Sequence, residues 1–292
     1  SGRFWKGLPQ PYEYPESDPF FVMCGAVIGD IAGSKYEGSY TKEQPKELMD
    51  ADCRFTDDTI LTCAVAEGLI QGLALVDRAQ LAESPQMQAT VVKEIAQAIK
   101  TYARRYPHGG YGSAFKRWML SDSLESYNSY GNGSAMRVSF PGWYATSLDE
   151  AMLLGRLSAQ TTHSHPLGIK GAEVIAGCIY ILKTGGNKRD VLKFARQYYN
   201  LDFTLDALRP IHSSNVTCDG TVPTSIVVFL ESDCFVSLIE LAISMGGDVD
   251  TIAAIAGSIG EAYYAIPEYL QKWLLQNLMI IYWHLSGPPL LS

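Results

Sequence analysis

No two of the six cysteines, Cys24, Cys53, Cys63, Cys178, Cys218 and Cys234, form a C-x-x-C pair, so neither a zinc knuckle nor a dithiol redox motif is written into the chain. Several lie in apolar helical contexts, where a free thiol behaves as a small hydrophobe, and a reducing compartment is expected. Secretory signals and apolar runs of membrane-spanning length are absent, which predicts a soluble cytoplasmic protein with no membrane partner. No basic patch offsets the net charge of −8, so no direct nucleic-acid binding is expected. Repeats, low-complexity tracts and alternating strand patterns are missing as well. What remains is a chain of 292 residues, 47% hydrophobic, able to bury a large core of helices.

Residues 1–21 read as an extended arm. Pro9, Pro11, Pro15 and Pro19 lie among Phe4, Trp5, Tyr12 and Tyr14, and proline at that density suits neither helix nor strand. Residues 22–292 read as one helical domain, and the fold class as all-α. Its first helix, Val22 to Ser34, carries Gly25, Gly29 and Gly33 four apart, which lines them on one face and permits close packing. Helical patterns recur over 58–73, at Val91, Ile95, Ile99 and Tyr102 ahead of Pro107, and over 148–161, 168–184, 188–199, 222–231, 234–244 and 251–265. A last one runs from Pro267 towards His284.

Two acidic clusters dominate the rest: Phe55-Thr56-Asp57-Asp58-Thr59 and Gly246-Gly247-Asp248-Val249-Asp250-Thr251. Each sets carboxylates beside hydroxyls at the start of a helix, where free amides and the helix dipole hold anions. Brought together in a low dielectric, four carboxylates repel strongly and call for protons or cations between them. Neither cluster contains Cys or His, and oxygen-only ligands favour hard ions, Mg²⁺ or else Mn²⁺ or Ca²⁺, over Zn²⁺. Glu37 makes a fifth carboxylate, a charge that two divalent ions almost neutralise, so a binuclear site is expected. The plainer reading has Asp57 and Asp250 as helix caps. It leaves the second carboxylate of each cluster, and the hydroxyls of Thr56 and Thr251, without a job.

Irregular stretches at 107–142, 161–168 and 212–224 are where ligand contacts are expected, because loops keep backbone donors free. The run Ser129-Tyr130-Gly131-Asn132-Gly133-Ser134-Ala135-Met136-Arg137 supplies amides, small side chains and an arginine, the parts of a phosphate nest. Tyr127 or Tyr130 could stack on a base; an ordinary Asn-Gly turn is the alternative. Arg137 reads either as paired with an acid inside the bundle or as an anion ligand. His163 and His165 make a poor metal pair, and a histidine with one satisfied nitrogen and one facing a ligand is preferred.

In this order the motifs resemble the ADP-ribosylglycohydrolase family, that of the dinitrogenase-reductase-activating glycohydrolase, from about residue 22 to 270. The resemblance is carried by Gly25-Ala26-Val27-Ile28-Gly29-Asp30 leading to Glu37, by the two acidic clusters, by Tyr130 to Arg137 and by Thr162-His163. It implies an all-α, single orthogonal bundle of many helices over residues 22–292, with a metal-containing cleft that receives ADP-ribose. It implies Thr56, Asp57, Asp58, Asp248, Asp250 and Thr251 as ligands of two Mg²⁺ ions, with Mn²⁺ as a substitute. Ser129, Tyr130, Gly131, Asn132, Gly133 and His163 would meet the phosphates and distal ribose. Glu37 matches a glutamate beside the metals in the serine-directed branch, and Glu37, Asp58 and Asp248 are the candidates for proton transfer. The implied reaction is hydrolysis at C1″ of ADP-ribose attached to serine or arginine. Partners would be ADP-ribosylated proteins or ADP-ribose-containing small molecules. Competing readings are a catalytically inactive ADP-ribose binder, a crystallin-like structural protein and, outside the family, a metal-dependent phosphohydrolase.

Overall fold

Helix α1 (Cys24–Ser34) holds one charged residue, Asp30, and is buried on every side. The structure is a computed structural model that describes residues 23–39, 45 and 47–286, with side chains to 277; the arm expected at 1–21 lies outside them. After α1 come α2 (Asp57–Leu73), a 3-10 turn (Arg78–Glu83), α3 (Pro85–Arg105), α4 (Ser113–Leu120), α5 (Gly133–Met136) and α6 (Ser139–Tyr144). Then follow α7 (Leu148–Gln160), α8 (Pro166–Lys183), α9 (Lys188–Ala195), α10 (Leu205–Leu208), α11 (Cys218–Glu231), α12 (Phe235–Ile243), α13 (Val249–Glu261) and α14 (Glu268–Ser286). Among the described residues no strand forms, and an isolated antiparallel bridge joins Gly131 to Thr217. The fold is an all-α bundle, as the periodicity predicts.

The α1–α13 contact organises the molecule. A Cβ built on Gly25 would lie 2.2 Å from the Gly257 carbonyl oxygen, one on Gly29 2.1 Å from that of Ala253, and one on Gly33 2.4 Å from Cα of Asp250. The glycine stripe therefore lets two backbones touch where any side chain would hold them apart. Around this pair α2 packs on α3, α7 on α8, and α11 and α12 on α13. Their shared apolar interior runs from Val27 and Ile31 through Leu69, Ile95 and Leu157 to Ile226 and Ile255.

Two stretches expected to be irregular are partly helical. Within 107–142, α4 forms because Phe115, Trp118 and Met119 fall on one face and bury beside Tyr111. Helix α11 begins at Cys218, four residues before the periodic pattern suggests, because the Thr217 hydroxyl accepts from the Gly220 amide at 3.1 Å and caps the helix across Asp219-Gly220. Pro223 lies inside α11. No helix among the described residues is long and apolar enough to cross a membrane.

Candidate metal and ligand site

Three segments far apart in sequence converge at the N-termini of α2 and α13. Asp30, fully buried on α1, accepts hydrogen bonds from the Thr56 amide (2.8 Å) and hydroxyl (2.7 Å) and from the Thr59 amide (3.1 Å) and hydroxyl (2.6 Å). One carboxylate thus fixes the start of α2, and the Thr56 hydroxyl, its proton given to Asp30, keeps a lone pair for another partner. The capping reading of Asp57 and Asp250 fails: the N-cap of α2 is Thr56, that of α13 is Asp248, whose side chain makes no capping bond, and Asp57 and Asp250 lie inside the first turns.

Carboxylate oxygens of Asp30, Asp58 and Asp250 all lie within 4.8 Å of one another, as do those of Glu37, Asp248 and Asp250, so Asp250 joins two groups that could each hold a cation. Asp58 Oδ2 and Asp250 Oδ1 are buried with no hydrogen-bond partner. Such orphaned oxygens are costly unless a cation or proton meets them, and this donor set of carboxylates and hydroxyls fits a hard divalent ion. The electrostatics agree. Burial, then the neighbouring carboxylates, hold Asp58 and Asp250 well above the ordinary carboxylate range and push Asp57 up to about 7. Burial pushes Asp30 up to about 6 despite its four hydrogen bonds. Glu37 is raised by burial and then by Asp248.

Glu37 reaches this cluster through a glycine-dependent backbone pairing. Gly246 and Gly247 adopt φ of 74° and 83°, a conformation that disfavours other residues. The Gly247 carbonyl accepts from the Gly38 amide (2.9 Å) and the Gly247 amide donates to the Ser39 carbonyl (3.2 Å). The result is an exposed glutamate at the rim of a buried acid group. On another side Asp57 donates its amide to the Gly109 carbonyl at 2.7 Å, bringing the 109–111 turn against the cluster.

The Ser129–Gly133 segment forms the adjoining wall. Three of its amides are already engaged: Ser129 with the Thr162 carbonyl (3.1 Å), Gly131 with Ser129 Oγ (3.1 Å) and Asn132 with the Val216 carbonyl (2.7 Å). Asn132 Nδ2 donates to Asp248 Oδ2 at 2.6 Å and Thr221 Oγ1 at 3.0 Å, tying this wall to the acids. His163 lies buried beneath the glycines. A Cβ on Gly133 would sit 3.2 Å, and one on Gly131 3.7 Å, from its Nε2. Its Nδ1 lies 2.7 Å from Thr162 Oγ1, and burial followed by the Arg137 charge holds its pKa well below the ordinary value, so the ring is neutral. His165 instead caps α8, Nδ1 accepting from the Leu167 amide at 3.1 Å, and packs beside the exposed ring of Tyr130. The two histidines form no metal pair.

Arg137 departs from both of its expected roles. It is completely buried and meets no carboxylate among the described residues; Nη2 donates to the Ser158 carbonyl and to the Thr161 and Thr162 hydroxyls. Asp30, Asn132 as a bridge to Asp248, and Thr221 are the site residues that motif reading leaves without a role. Asp30 carries one signal, being the lone charge in an apolar glycine-rich helix.

An all-α bundle in which a cluster of carboxylates and hydroxyls lies beside a glycine-rich wall is the class of molecule that the fold and the site define. The sequence profile of the ADP-ribosylglycohydrolase family matches residues 22–280, and the chain belongs to that family. It is 27% identical to human ADP-ribosylhydrolase ARH3 over 86% of each protein. It is 26% identical to the ADP-ribosyl-[dinitrogen reductase] glycohydrolase of Rhodospirillum rubrum over 87% of each. A solved structure described as an ADP-ribosylglycohydrolase-related protein complex shares the fold, with a TM-score of 0.65 at 22% identity over 91% of this chain and 96% of the other.

Proposed function

We propose that this protein is an ADP-ribosylhydrolase that cleaves the C1″ glycosidic bond of ADP-ribose on protein side chains, with two divalent cations, Mg²⁺ first among them, at the acid cluster. The observation that carries the reading is the convergence of Asp30, Asp58, Asp250, Asp248 and Glu37 with two orphaned buried oxygens, directly beside the Asn132 and His163 wall. Family membership and the names of the relatives support removal of ADP-ribose in general.

Thr56, Asp57, Asp58, Asp248, Asp250 and Thr251 would hold the ions. When bound, divalent ions supply Lewis acidity toward water and the ribose hydroxyls and offset the carboxylate charge. The remaining steps fall to the chain. Gly131 and Gly133 would bring the diphosphate close to the backbone, Tyr130 offers an exposed ring for stacking, and His163 supports the glycines from beneath, its Nε2 3.2 Å from where a Gly133 Cβ would stand. Asn132 orients Asp248. As the bond breaks, the sugar gains positive charge, which the carboxylate wall stabilises. Asp58 is sealed from solvent and Asp248 is engaged by Asn132, whereas Glu37 is exposed at the rim, which supports Glu37, of the three candidates, as the one that would pass a proton to the leaving group. That favours an O-linked serine substrate, because an alkoxide needs proton assistance more than a guanidine does.

Incubation with matched peptides bearing ADP-ribose on serine or on arginine, in Mg²⁺ or EDTA, tests the reading by free ADP-ribose released. Cation-dependent release from the serine peptide is expected. Release from the arginine peptide alone would overturn the linkage, and release from neither, with ADP-ribose still bound, would favour a binding protein.

A further inference from the structure

Charged residues line a cavity of about 420 Å³ between the 3-10 turn, the N-terminal part of α7 and the middle of α8. Two of them are spent on each other. Arg78 donates to both carboxylate oxygens of Glu150, from Nε at 2.6 Å and from Nη2 at 3.0 Å, and to the Tyr144 carbonyl at 2.7 Å, while Glu150 Oε2 also accepts from the Thr146 amide and hydroxyl. Arg156 and Glu173 are not spent. No hydrogen bond or ion pair holds either of them among the described residues, and Arg156 Nε is buried without a partner. A Cβ on Gly155 would lie 2.8 Å from the Ala172 carbonyl oxygen, so α7 and α8 touch one residue before each charge and bring both to the same cavity. Burial raises the Glu173 carboxyl and the Arg156 charge partly offsets that, so the two groups feel each other without bonding.

A half-buried guanidinium and a half-buried carboxylate that line one cavity without closing on each other keep their hydrogen-bonding capacity for a third partner. A simple anion would leave the carboxylate unmatched, and a simple cation would leave the guanidinium so. A small molecule bearing both charges matches both. The same wall carries Leu81, Met152 and Leu153, apolar surface that suits the rest of such a molecule. We propose that this cavity binds a free α-amino acid with an apolar side chain: its carboxylate meets the Arg156 guanidinium, its ammonium meets Glu173, and its side chain lies on Leu81, Met152 and Leu153. Asp149, exposed on the first turn of α7 and part of the same wall, adds a second carboxylate for the ammonium. No residue of the acid cluster takes part, and His163 follows the opposite end of α7, so the inference stands apart from the function proposed above.

Titration calorimetry of the full chain with L-leucine and L-phenylalanine tests the site. Isocaproate and hydrocinnamate, which lack the ammonium, and isoamylamine and phenethylamine, which lack the carboxylate, are the matched controls. At least one of the amino acids should bind, and its one-charge analogues should each bind about tenfold more weakly, the size of one lost charge-assisted hydrogen bond. Arg156→Gln and Glu173→Gln should each weaken the amino acid by a similar factor, with far-UV circular dichroism unchanged. Binding of neither amino acid overturns the proposal. So does an analogue lacking one charge that binds as tightly as its parent, or an affinity unchanged in both variants. The analogue series decides on the wild-type chain alone, whatever the variants do to folding, and ADP-ribose release plays no part in the readout.

Discussion

Asp250 differs from its neighbours in serving both acid groups while leaving one buried oxygen unmatched. Replacing it by Asn removes one of several repelling charges. Asp250→Asn should therefore stabilise the cation-free protein by about 1 kcal/mol, seen in thermal melts in EDTA, while lowering ADP-ribose release by about a hundredfold or more and abolishing any Tm gain from Mg²⁺. A variant that is active and still stabilised by Mg²⁺ would remove the shared-ligand reading. The acids of the two clusters were legible in sequence because neighbouring carboxylates and hydroxyls declare themselves locally. Asp30 was not, because its role arises only when α1 meets the start of α2 and four donors close on it. Arg137 was misread for a related reason: sequence shows a charge, and only packing shows that hydroxyls and a carbonyl, not an acid, receive it.

At the scale of elements, α1 and α13 are joined at both ends of their contact. Gly29→Ala would drive a methyl into the Ala253 carbonyl, 2.1 Å away, with backbone on both sides and nothing able to yield. A loss of roughly 3 kcal/mol is expected, read as a drop of several degrees in Tm. At the far end Glu261 accepts from the Gly25 amide at 2.9 Å and from that of Cys24, and burial pushes its carboxyl up to about 8 against an ordinary 4.5. A folded pKa above the unfolded one means that the folded state holds the proton more tightly. Its stabilising effect is complete below the unfolded value and is lost as pH rises through about 8. Wild-type Tm should fall between pH 5 and 8 more steeply than that of Glu261→Gln, whose amide oxygen still accepts; parallel profiles would show that Glu261 does not titrate with folding. The glycine period announced this helix pair in sequence. The partner helix could not be read there, since four-residue spacing says that something packs closely but not what.

For the whole molecule, charge is the deciding quantity. The net charge of −8 is concentrated in part at one buried site, so a divalent cation should act as a folding ligand. Mg²⁺ or Mn²⁺ at a hundred times its dissociation constant should stabilise the chain by about 2.7 kcal/mol, with far-UV circular dichroism unchanged because the helices are already formed. Equal ionic strength from NaCl should not reproduce the shift; if it does, the effect is general screening and the site is no specific cation site.

The contact of α1 with α13 has a consequence for how the protein is made. Helix α1 leaves the ribosome early, apolar on every side, and the backbone face it is shaped to meet is synthesised only about 215 residues later. At ordinary translation rates that is a wait of on the order of ten seconds or more. Through that interval the nascent chain carries a sticky, unmatched segment and no complete acid cluster, since Asp30 and Asp58 emerge long before Asp248 and Asp250. A chain truncated before α13 therefore lacks half of the acid cluster and leaves the glycine face of α1 uncovered, so the closing of that single seam is what separates a finished molecule from an unfinished one.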